Sequence, residues 1–70
     1  MGVSNGSAIG KKLRQLRQES GLSLAKVSND TGIGRTALQN YEAGIRIPRD
    51  EAKAILASYY GKTIDFLFFT

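Results

Sequence analysis

Apolar residues in this chain recur at helical spacing, and glycines interrupt them at intervals. Ile9, Leu13 and Leu16 stand at i, i+4 and i+7, with Lys11, Lys12, Arg14 and Arg17 between them. That is the pattern of a helix with one buried and one wet face. Ser7 is placed to cap its start, and Gly21 to end it. A second helix turns Leu24, Val27 and Ser28 inward, with Ser23 as its N-cap and Gly32 as a left-handed stop. A third runs from about Gly34 to Ala43 and is stopped by Gly44.

The stretch Ile45-Arg46-Ile47-Pro48-Arg49 reads as a loop, because Pro48 disfavours helical geometry at Ile47. Asp50 and Glu51 then suit the positive end of a fourth helix, whose inner face is expected at Ala52, Ile55, Leu56 and Tyr59. Gly61 ends it, and Thr63 caps a short fifth helix holding Ile64, Phe66, Leu67, Phe68 and Phe69. No alternating strand pattern, repeat or low-complexity tract competes with this reading. The expectation is an all-α, compact five-helix domain over residues 8–70. Residues 1–7, rich in Gly, Ser and Asn, read as a flexible arm or a cloning remnant.

Composition narrows the chemistry. Seventy residues make one domain, 41% hydrophobic and 23% charged, which is a globular balance. With no Cys and no His, disulfides, thiolate zinc sites and histidine acid–base catalysis are excluded. The run Gly32-x-Gly34-x-x-Ala37 imitates a dinucleotide fingerprint, but a helix precedes it where a strand is required. Asp50, Glu51 and Asp65 fit roles in first helical turns better than a carboxylate site. No enzyme, metal or cofactor is expected. The longest near-apolar run, Ile64 to Phe69, falls far short of the roughly 18 residues of a membrane span. Residues 1–7 lack the basic start and apolar run of a secretory signal. The chain reads as soluble and cytoplasmic, with no membrane partner.

The informative segment is LAKVSNDTGIGRTALQNYEA, residues 24–43. Two helices that cross closely through a tight turn need a small residue at the contact, a glycine in the turn and a branched apolar plug. Ser28, Gly32 and Leu38 supply these at the offsets of a helix-turn-helix. With Arg35 set at zero on the third helix, Gln39 falls at about 40°, Thr36 at about 100° and Asn40 at about 140°. Ala37, Leu38 and Tyr41 fall on the opposite arc. One face is therefore apolar, and the other presents Arg, Thr, Gln and Asn with no acid. Those side chains match base edges: Arg to guanine, Gln and Asn to adenine, a Thr methyl to thymine. A merely solvated polar face is the alternative, although such faces favour Glu and Lys as strong helix formers.

The run Ile9-Gly10-Lys11-Lys12-Leu13-Arg14-Gln15-Leu16-Arg17, with Gly21-Leu22-Ser23, Tyr41-Glu42-Ala43-Gly44 and Ile47-Pro48, resembles the lambda-repressor/Cro-like helix-turn-helix family, also called the XRE family. The resemblance covers residues 9–69. It implies a DNA-binding transcriptional regulator, a repressor of prokaryotic, phage or mobile-element type, acting as a homodimer on a near-palindromic operator. It places base reading on Arg35, Thr36, Gln39 and Asn40. Phosphate contacts fall on Ser23, on the start of the third helix at Gly34, and on Arg46 and Arg49. It also implies a buried ion pair between Arg17 and Glu42. Three positions depart from the family pattern: Leu24 replaces a phosphate-binding Gln, Ser28 replaces Ala, and Gly34 replaces a capping Ser or Thr.

Charge follows the same division. Residues 1–20 hold four basic residues and one acid, residues 21–50 four and three, and the last twenty are balanced. About four to six phosphate contacts per monomer would each add about 0.9 to the slope of log affinity against log salt. Lys11, Lys12 and Arg14 also fit a simply solvated face. The tail has more apolar surface than one short helix can bury. Ile64, Leu67 and Phe68 are expected to face inward, with Phe66 and Phe69 either closing the core or left for a dimer seam or protein partner. The second functional reading is accordingly a protein-interaction module, such as an adaptor, anti-repressor or antitoxin-like partner, that works through this tail.

Overall fold

The computed structural model describes residues 6–68, and five helices account for most of them. They are α1 (Gly6–Glu19), α2 (Leu24–Thr31), α3 (Arg35–Ala43), α4 (Asp50–Tyr60) and α5 (Ile64–Phe68). No strand occurs among the described residues. Helix α1 packs on α3 and α5, α2 packs on α3 and α4, and α4 packs on α5.

Where helices end, local chemistry explains it. The Ser23 hydroxyl oxygen accepts the Lys26 N–H at 3.0 Å, using one of the donors a helix start leaves free. Gly32 and Gly44 adopt φ of 79° and 80°, the left-handed geometry that lets their N–H groups return to carbonyls of the helix just ended. Thr63 caps α5 by accepting the Phe66 N–H at 3.0 Å.

The core is Ile9, Leu13, Val27, Leu38, Tyr41, Leu56, Ala57, Leu67 and Phe68. Leu38 of α3 is buried within this core, and Pro48, in the loop between α3 and α4, is fully buried as well.

Four expectations are corrected. Helix α1 already includes Gly6 and Ser7, so Ser7 lies within its first turn and is not the N-cap. In α4 the buried stripe is Leu56 and Ala57, while Ile55 is 37% exposed. Leu56, Ala52 and Tyr59 face the core as expected, so only Ile55 is misplaced, with Ala57 on the other side of Leu56 buried in its stead where α2 and α5 pack on α4. Ile64 is 38% exposed, leaving Leu67 and Phe68 as the buried residues of α5. Ser28 is only half-buried, and no buried side-chain polar atom lacks a partner among the described residues. The proposed arm falls largely on residues 1–5, and the Phe69 contact on residue 69; both lie outside the described residues.

Candidate nucleic-acid interface

Helix α3 is held by its apolar face. Leu38 and Tyr41 are buried, Ala37 is half-buried, and Arg35, Thr36 and Gln39 are exposed. Asn40 is half-buried at the edge of the exposed face, and its backbone carbonyl accepts the N–H groups of Ile45 and Arg46 at 2.9 and 3.3 Å. That bond pair turns the chain sharply after α3 and fixes where Arg46 begins.

The one acid on α3 is accounted for. Arg17 Nε donates to Glu42 Oε2 at 2.7 Å and Arg17 Nη2 to Oε1 at 3.0 Å, a two-pronged pair with side chains 15% and 10% exposed. Arg17 Nη1 also donates to the Leu22 carbonyl at 2.9 Å, tying α1, the following turn and α3 together. The Glu42 bonds hold the guanidinium charged beyond its already high ordinary range. Nearby, burial and then the Glu42 charge push the Tyr60 hydroxyl up to about 12. With Glu42 neutralised by Arg17, the exposed face of α3 presents donors and acceptors but no free negative charge.

The other expected contacts surround this face. Ser23 is exposed at the start of α2. Its oxygen serves as the cap acceptor, so its O–H proton is left to donate outward. Gly34 stands immediately before α3 at φ −58° and ψ 144°, with no side-chain cap. A Cβ there would meet nothing within 4 Å, so sterics do not demand glycine. Arg46 is exposed with its guanidinium 5.8 Å from the centre of the Tyr41 ring, and exposed Arg49 is the residue before α4. Leu24, where a polar phosphate ligand was expected, is half-buried and packs against the core.

Two further groups border the face. Lys26, Ser28 and Asn29 line a shallow depression together with Arg35. Lys26 Nζ lies 3.3 Å from Asp30, whose carboxylate also accepts the Tyr59 hydroxyl at 2.7 Å. That hydroxyl, and secondarily Lys26, hold the Asp30 carboxyl below its ordinary range. Arg14 shares a groove with Leu24 and Gln39. The spacing of Ser23, Lys26 and Asn29 along one side of α2 would have revealed the first group from sequence. The second depends on how α1 crosses α3, which no local pattern encodes. Among the described residues, no group of carboxylates could hold a metal ion, and no helix is long and apolar enough to cross a membrane.

This arrangement has known counterparts. The family described as "Helix-turn-helix domain" matches residues 8–65. The cryptic phage CTXphi transcriptional repressor RstR of Vibrio cholerae is 38% identical over 53 residues, 76% of this chain and 48% of that protein. The HTH-type transcriptional regulator ImmR of Bacillus subtilis (strain 168) is 30% identical over 60 residues, 86% of this chain and 47% of that protein. The chain thus spans about half the length of these relatives. Among solved structures, the S. venezulae BldD DNA-binding domain superposes with a TM-score of 0.79 at 29% identity, covering 94% of this chain and 99% of that one. A crystal structure of the DNA-binding domain of BldD gives 0.79 at 30%, covering 97% and 99%. From the turn between α2 and α3 to the Arg17–Glu42 pair, residue chemistry and likeness converge: the chain belongs to the helix-turn-helix domain family, in its Cro/lambda-repressor-like form.

Proposed function

We propose that the chain is a sequence-specific DNA-binding transcription regulator of phage or mobile-element type, acting as a repressor through α3 in the major groove. The observation that carries this is the outward face of α3. Arg35, Thr36 and Gln39 are exposed together, Asn40 lies at their edge, and the one acid of the helix is bound to Arg17. A helix of this kind fits the width of the major groove and brings the side chains that discriminate bases. Ser23, the Gly34 backbone, Arg46 and Arg49 frame the helix as phosphate contacts, which set register without reading sequence. RstR and ImmR, a repressor and a regulator by name, support the regulatory role.

The operator in this reading is near-palindromic and bound by two copies, with half-sites about one helical turn apart or a multiple of it. Selection of a random duplex library on the purified protein tests it. Enrichment of a two-fold repeat, with affinity falling steeply as salt rises, is the expected result. Weak binding without sequence enrichment would reduce the face to a generic basic surface.

A further inference from the structure

Phe66 is 45% exposed, while its neighbours Leu67 and Phe68 are buried. Cations already surround its ring. The Lys12 ammonium of α1 lies 4.9 Å from the ring centre, and the Lys62 ammonium, from the turn between α4 and α5, lies 5.1 Å away. Lys12 Nζ also donates a 2.7 Å hydrogen bond to the Phe66 carbonyl, which fixes that cation beside the ring. Among the described residues, neither lysine has a carboxylate within ion-pair distance.

An exposed ring attracts each ammonium only weakly, and the two ammonium groups repel one another. An anion reaching both would relieve that repulsion, and an apolar side chain beside it would cover the ring. A peptide suits this better than a nucleotide strand. The ammonium groups lie over the ring, where a base would have to stack, whereas a carboxylate reaches them from outside without displacing them.

We propose that Lys12, Lys62 and Phe66 form a docking surface for an acidic segment of a partner protein, one with an aliphatic or aromatic side chain next to its carboxylates. The surface lies on α1, α5 and the turn before α5, shares no residue with the exposed face of α3, and the proposal does not rest on DNA binding.

The test is titration of the isotope-labelled chain with a short synthetic peptide alternating Glu with Leu and Phe, beside the same peptide carrying Gln for Glu, and oligothymidine. The expected result is amide shifts concentrated at Lys12, Lys62 and residues 64–68. Binding should weaken by about fivefold or more in Phe66→Ser and in the Lys12→Gln/Lys62→Gln double variant, with helicity unchanged. The double variant alters only surface side chains, so it decides the matter if Phe66→Ser fails to fold. Shifts centred on Arg35, Arg46 and Arg49, or equal binding of the Gln peptide, would overturn the proposal. So would tighter binding of oligothymidine at the same residues. Self-association of the free chain that Phe66→Ser abolishes would assign the patch to a second copy instead, and overturn it equally.

Discussion

Gly10 of α1 lies so close to Glu42 of α3 that a Cβ on it would stand 2.5 Å from the Glu42 carbonyl oxygen and 2.6 Å from that of Tyr41. Both neighbours are backbone, so neither can swing aside. Alanine is a better helix former than glycine by about 1 kcal/mol, yet forcing α1 away from α3 costs about 1–3 kcal/mol. Gly10→Ala is therefore expected to lower the urea midpoint despite the gain in propensity, and a raised midpoint would show that the two helices have room to separate.

Arg17 and Glu42 hold the same two helices through charge. Their side chains are mostly buried, so deleting one leaves the other desolvated without a partner. Arg17→Met or Glu42→Leu is expected to cost about 3 kcal/mol, a large share of what a small domain possesses. The double variant should cost less than the two singles combined, because it strands neither charge. A denaturation cycle across the four proteins measures the coupling, and strict additivity would mean the pair contributes nothing as a pair.

On DNA, Arg35 and Arg49 are expected to behave differently. Arg35→Ala should cost about 1–3 kcal/mol on the selected site and relax preference at one base position. Arg49→Ala should weaken every sequence alike and lower the salt slope by about one. Equal loss on specific and random duplexes for Arg35→Ala would remove that residue from base reading.

Alkaline pH separates the tyrosines from the rest of the chain. Burial holds the Tyr60 proton in the folded state up to about 12, against an ordinary value of 10.0. A raised folded value contributes stability that is complete below the unfolded value and is lost as pH rises through the folded one. The urea midpoint is expected to fall as pH goes from about 10 to about 12. Tyr60→Phe should flatten part of that fall, with Tyr59 supplying the remainder because its bond to Asp30 also raises its value. An identical decline in Tyr60→Phe would place the alkaline loss elsewhere.

The residues show why some of this was legible beforehand and some not. Helix ends were readable because glycine in a left-handed turn is a local demand: Gly21, Gly32, Gly44 and Gly61 all have positive φ where a stop was expected. The Arg17–Glu42 pair came with the family resemblance and sits as that resemblance implied. On α4 only Ile55 was misplaced, because periodicity gives an arc of the helix whereas the elements packed on it choose which edge of that arc is buried, Ala57 here. Gly10 was quoted within a motif, but its reason is the approach of a helix more than thirty positions onward. Lys12 looked like an ordinary solvated lysine until α5 brought Phe66 to it.

The packing of α1 has a consequence for how the chain is made. Its Arg17 waits for an acid 25 positions later, and its Lys12 for a carbonyl 54 positions later. At about 5–20 residues per second of synthesis, α1 exists for about 1–5 s before α3 is complete. An amphipathic helix of this length is marginal alone in water. Of the five helices, the earliest translated is thus among the last to become protected, and Ile9 and Leu13 stay uncovered until α3 and α5 arrive.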